Sequence, residues 1–139
     1  MSNRMWTRFA SRTLGFSIQY PTTFRVVYGD STEPDAVSFI HTSQDGNIDA
    51  SIQVNVDGTS DANSSEEVNP DLPHTQIILA GLPAEEEEAG NASCPNCLVR
   101  FILINQGYRY MINIGTALRS PELSSNDIDY IRRSFLLLN

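Results

Sequence analysis

The stretch from Leu98 to Thr116 constrains the fold more than any other part of the chain. Leu98 to Ile104 and Tyr108 to Thr116 are long apolar runs separated by Asn105-Gln106-Gly107, a hairpin signal. In an extended chain Val99, Phe101 and Leu103 fall on one side of the first run, and Leu98, Ile102 and Ile104 on the other. A strand apolar on both sides belongs inside a sheet whose two faces are covered. The two runs are therefore predicted to be antiparallel neighbours at a sheet centre.

Other segments add strands to that pair. Phe16, Ile18 and Tyr20 alternate with Ser17 and Gln19 up to Pro21, after an opening run Trp6 to Ala10 and a turn-like Ser11 to Gly15. Arg25 to Tyr28 is β-branched and closed by Gly29-Asp30. Val37, Phe39 and His41 alternate with Ser38 and Ile40, and Ala50, Ile52, Val54 and Val56 alternate with polar residues after the turn at Asp45-Gly46-Asn47, which predicts a second hairpin. Thr75 to Ala80 and Leu82 to Ala89 read as strands around Gly81. Asp57 to His74 is polar, carries Pro70 and Pro73, and is expected to be a long surface connection.

A helix closes the chain. Ser124 and Asp127 have capping-box spacing, Leu123, Ile128, Ile131 and Phe135 share one helical face, and Arg132 and Arg133 suit the negative end of the helix dipole. Strands in sequence with one terminal helix give an α+β class. A length of 139 residues predicts a single domain over 1–139, with residues 1–5 a disordered or vector-derived start.

The charge balance excludes one class of partner. The chain has nine Arg, no Lys and seventeen Asp plus Glu, a net charge of −8. Phosphate-binding surfaces need clustered cations, so nucleic acid is not expected; a protein with a basic face suits the charge better. No apolar run is long enough to span a membrane, which leaves a lipid anchor as the expected membrane attachment. The sequence does not fix an oligomeric state.

Taken in order, Gly15 to Pro21 followed by Phe24, the strand pair, Gly81-Leu82-Pro83-Ala84, the long hairpin and Ile128 to Phe135 resemble the PsbP-like family. That family includes extrinsic proteins of the photosynthetic oxygen-evolving complex, bacterial exported lipoproteins, a Ran-binding import factor and chaperones of secreted effectors. The resemblance implies an antiparallel sheet sandwiched by helices, an α/β/α sandwich, and action by binding proteins rather than by catalysis. Asp57 to His74 departs from it, because such proteins usually carry a longer amphipathic helix there.

Candidate chemistry is sparse. Cys94-Pro95-Asn96-Cys97 precedes a strand, whereas a redox pair usually works at a helix N-terminus, and the only histidines, His41 and His74, stand at no zinc-ligand spacing. The pair Cys94 and Cys97 is read as a disulfide staple of an exported protein, free thiols and redox or metal roles being the alternatives. Glu85, Glu86, Glu87 and Glu88 concentrate four carboxylates in a strand, expected at a sheet edge or solvated rim, or else as a binding site for a basic partner. Asp45 to Asp49 imitates a calcium loop, but Ala50 and Val56 occupy its Gly and Glu positions, so it is read as a turn. His41 is read as structural. No catalytic, cofactor or metal residue is predicted.

These readings predict an exported, extracytoplasmic, non-enzymatic binding domain without a cofactor. The alternative is a carrier or chaperone holding an apolar ligand or peptide on an exposed sheet face.

Overall fold

The computed structural model describes residues 5–29, 35–58, 74–88, 98–116 and 123–138. The strands in chain order are β1 Trp6–Ser11, β2 Phe16–Pro21, β3 Arg25–Tyr28, β4 Ala36–Thr42, β5 Ile48–Gly58, β6 His74–Leu79, β7 Leu82–Glu88, β8 Leu98–Asn105 and β9 Tyr108–Thr116. Helix α1, Ser125–Ser134, and a short strand β10, Leu136–Leu137, complete the described chain.

Seven strands form one antiparallel sheet in the order β3-β4-β5-β9-β8-β7-β6. The predicted central pair is there: β9 is the middle strand and β8 its neighbour, with Phe101 opposite Ile112. Their connection is tighter than the sequence suggested. Asn105 already pairs with Tyr108, and the turn is Gln106-Gly107, both at positive φ, which matches the twist of an antiparallel pair.

The order also explains why Asp57 to His74 is long. The chain leaves β5 near the centre and re-enters at β6, four strand positions away on the edge, about 19 Å at ordinary strand spacing. The strand itself runs further than expected, since Asp57 and Gly58 still pair with Arg109 and Tyr108. Residues 59–73 lie outside the described residues.

Cross-strand pairing sets the two faces of this sheet. Val37, Phe39, Ile52, Val54, Ile112, Ile114, Phe101 and Leu103 share one face and are buried. Over it lies a second, three-stranded sheet, β1-β2-β10, whose Phe9 and Tyr20 pack on Phe39 at ring-centroid distances of 5.4 and 4.5 Å. Helix α1 fills the rest of the layer beside β2. Tyr130 stacks obliquely on Trp6 and donates its hydroxyl proton to Gln19 Oε1, and Ser134 Oγ accepts from Gln19 N.

Two expectations change here. Among the described residues the layer over the first face is a small sheet plus one helix rather than helices alone, because β1 and β2 pair with each other instead of joining the main sheet. Phe135 is not helical: it is the C-cap, with φ −70° and ψ 126°, and the extended chain beyond it pairs Leu136 with Ser17 and Leu137 with Phe16. The intended burial survives, since Ile131 and Phe135 are fully buried and Leu123 nearly so, while Ile128 is half-buried.

The capping box is present in both directions. Ser124 Oγ accepts from Asp127 N at 3.1 Å, and Asp127 Oδ2 accepts from Ser124 N at 3.0 Å. Ser124→Ala removes one acceptor from the helix N-terminus and is expected to cost about 1 kcal/mol in urea unfolding. A change within experimental error would mean that the cap contributes nothing to folding.

Candidate functional site

The second face of the large sheet differs from the first. Ser38, Gln53, Asn55, Asn113, Arg100, Arg109 and Asp57 project from it, half-buried, across β4, β5, β9 and β8. Arg100 Nε donates to Asn113 Oδ1 at 2.7 Å, and Arg109 pairs with Asp57 at 3.0 Å. This face is mixed in charge, and Ile40, Met111 and Ile102 are interleaved among its polar side chains. None of the clefts found among the described residues is lined by this face.

The four glutamates lie on β7, which is second from the edge and pairs with both β6 and β8. The expectation of an edge strand is therefore wrong: Thr75 to Leu79, a segment with no charge to mark it, takes the edge instead. Alternation divides the acidic run. Glu86, opposite Phe101 and Thr75, is half-buried and lines a cleft of about 170 Å³ with Val99, Ser125, Ile128 and Asp129 on the covered side.

Glu85 and Glu87 belong to the second face, opposite Ile102 and Arg100. Glu87 is only 1% exposed, with Oε1 at 3.9 Å from Arg100 Nη1. A carboxylate this buried is tolerated because a cation stands beside it, and removing that cation is expected to be costly. Glu85 is half-buried, and Glu88 is placed only by its register with Val99.

Leu98 and Ile104 are 38% and 48% exposed, so the second side of β8 is covered only at Ile102. Ile104 has company. Ile78 pairs with Pro83, both exposed, and continuing the β7–β8 register two residues beyond Glu85–Ile102 sets Pro83 beside Ile104. By alternation and that extended register the three side chains fall in one apolar row on the second face, on the side of Glu85, a feature that single residues in the sequence could not announce.

The edge strand is partly closed by α1. Arg132 Nη1 donates to Ile78 O at 3.0 Å, and Arg132 Nη2 donates to Asp129 Oδ1 at 2.5 Å. That hydrogen bond from Arg132 holds the Asp129 carboxyl below its ordinary range. An arginine over an outward carbonyl discourages strand addition there.

The remaining candidates are structural. His41 Nδ1 lies 2.6 Å from Asp49 Oδ1 across the β4–β5 hairpin, and its ring is 5.4 Å from Phe24. Asp45 closes a turn: it accepts from Ser43 Oγ, which lowers its pKa, while Gly46 adopts φ +87°. No group of three or more metal-ligating side chains occurs among the described residues. Cys94 and Cys97 lie outside the described residues. Among those described, no helix is long and apolar enough to cross a membrane.

No protein-family model matches the sequence, and no curated protein does. Solved structures do match. The chain is similar to the solution structure of cyanobacterial PsbP (CyanoP) from Synechocystis sp., with a TM-score of 0.63 and 13% sequence identity over 98% of this chain and 94% of that one. The fold is PsbP-like along nearly its whole length. At that identity the likeness is one of fold alone, and site residues do not transfer.

Proposed function

We propose that this chain, with its PsbP-like fold, is a non-enzymatic accessory domain that acts outside the cytoplasm by binding another protein. The observation that carries the reading is the apolar row Ile78, Pro83 and Ile104 beside Glu85, because exposed apolar side chains rimmed by polar and charged ones are what protein partners cover. The polar side chains Ser38, Gln53, Asn55 and Asn113 on the same face suit a protein surface. Glu85 supplies a charge that a basic rim on the partner would meet. An oxidised Cys94–Cys97 pair and a lipid anchor belong to the same proposal, and thiol titration of the native protein tests the first of them.

The site is tested by a photo-reactive phenylalanine analogue placed at Ile78 or Ile104, with Met5 as an exposed control. Irradiation in the cells that make the protein is expected to join both sheet positions to one discrete partner, and Glu85→Arg to weaken that product. Absence of an adduct at Ile78 and Ile104, or an equal adduct at Met5, would overturn the assignment.

A further inference from the structure

A cleft of about 470 Å³ opens between the β1–β2 turn and the β8–β9 turn, within the size range of small-molecule sites. At its floor stands Tyr110, 7% exposed, its ring held edge-on against Phe135 at 6.1 Å. Among the described residues its hydroxyl has no hydrogen-bond partner, and it is left free to meet a ligand in the cleft. The space in front of it is kept by Gly15: a Cβ there would stand 3.6 Å from the Tyr110 oxygen. Gly15 is fixed in that place, since φ is +83°, its N–H donates to Ser11 O and its carbonyl accepts from Leu138 N, both at 2.8 Å.

The rim carries one charge of each sign. Arg12 and Asp35 both line the cleft, both are exposed, and among the described residues neither forms an ion pair. Val56 and Leu138 add apolar wall. A simple anion would meet Arg12 but would approach a chain of net charge −8, whereas a molecule carrying both charges meets no net repulsion.

We propose that this cleft binds a small zwitterion with an apolar body, its carboxylate on Arg12 and the Tyr110 hydroxyl and its ammonium on Asp35. A free α-amino acid and a short peptide both present that chemistry. Desolvation first, and then Tyr108, raises the Tyr110 pKa, so the hydroxyl keeps its proton and remains a donor across the physiological range. The cleft is separate from the apolar row on the second sheet face, and the two proposals stand or fall independently.

The test is a heteronuclear NMR titration of the full chain with four probes: L-leucine, leucyl-leucine, 4-methylpentanoate, which lacks the ammonium, and 3-methylbutylamine, which lacks the carboxylate. Saturable shifts at Gly15, Gln106 and Tyr110 are expected with at least one zwitterion, and the tighter of the two identifies free amino acid or peptide as the source. Either singly charged analogue should bind about tenfold more weakly, and so should Arg12→Gln, Asp35→Asn and Tyr110→Phe with the tighter zwitterion. The exposed positions of Arg12 and Asp35 keep those two variants folded, which their spectra check directly. Equal binding of 4-methylpentanoate, wild-type affinity in Arg12→Gln and Asp35→Asn, or no saturable shift with either zwitterion would each overturn the proposal.

Discussion

Phe135→Ala is expected to lower the unfolding free energy by about 3–5 kcal/mol, read as the change in urea-unfolding stability. The ring is fully buried, stacks on Phe16 at 5.6 Å and meets Tyr110 edge-on at 6.1 Å. It therefore joins the small sheet to the middle strand of the large one. Its backbone is the C-cap of α1, so the substitution leaves the helix residues untouched and opens a cavity where three elements meet. Phe135→Leu should recover part of the loss by refilling some of that volume. A loss below about 1 kcal/mol for the alanine variant would mean that the ring is not in the core.

Phe39→Ala should cost about as much, 3–5 kcal/mol, for a related reason at the other end of the layer. Phe39 is fully buried on β4 and takes Phe9 edge-on and Tyr20 stacked. Both partners belong to the small sheet. A double-mutant cycle between Phe39→Leu and Tyr20→Leu is expected to show a coupling of about 0.5–1.5 kcal/mol, the amount such aromatic pairs add beyond burial. Zero coupling would separate the two sheets energetically and contradict the packing.

How far the fold could be read from the chain depended on whether its cause was local. The β8–β9 pair, the β4–β5 hairpin and the capping box at Ser124 and Asp127 were legible because strand period, turn residues and cap spacing all lie within a few residues of one another. The strand β10 was not, since Leu136 and Leu137 form it only by pairing with β2, more than a hundred residues earlier. Phe135 shows the same limit: the apolar spacing that placed it on a helix face also fits a residue just past the helix end, and either placement buries it.

The glutamate strand shows why site reading was harder than fold reading. Four adjacent carboxylates suggested an edge because charge is costly inside a sheet, yet β6 lies outside them and Arg100, from the next strand, stands beside Glu87. Neither fact can be seen in the run Glu85 to Glu88 itself. The cleft at Tyr110 was equally hidden. Its parts come from five separate segments, and only Gly15 and Gln106 carried a local signal, as turn residues.

The strand order underlies every one of these assignments, and cross-strand NOEs on the isotope-labelled protein test it most directly. Ile112 should show contacts to Val54 on one side and Phe101 on the other, and Glu86 should show backbone contacts to both Thr75 and Phe101. Contacts from Glu86 to one strand alone would return β7 to the sheet edge and contradict the fold described.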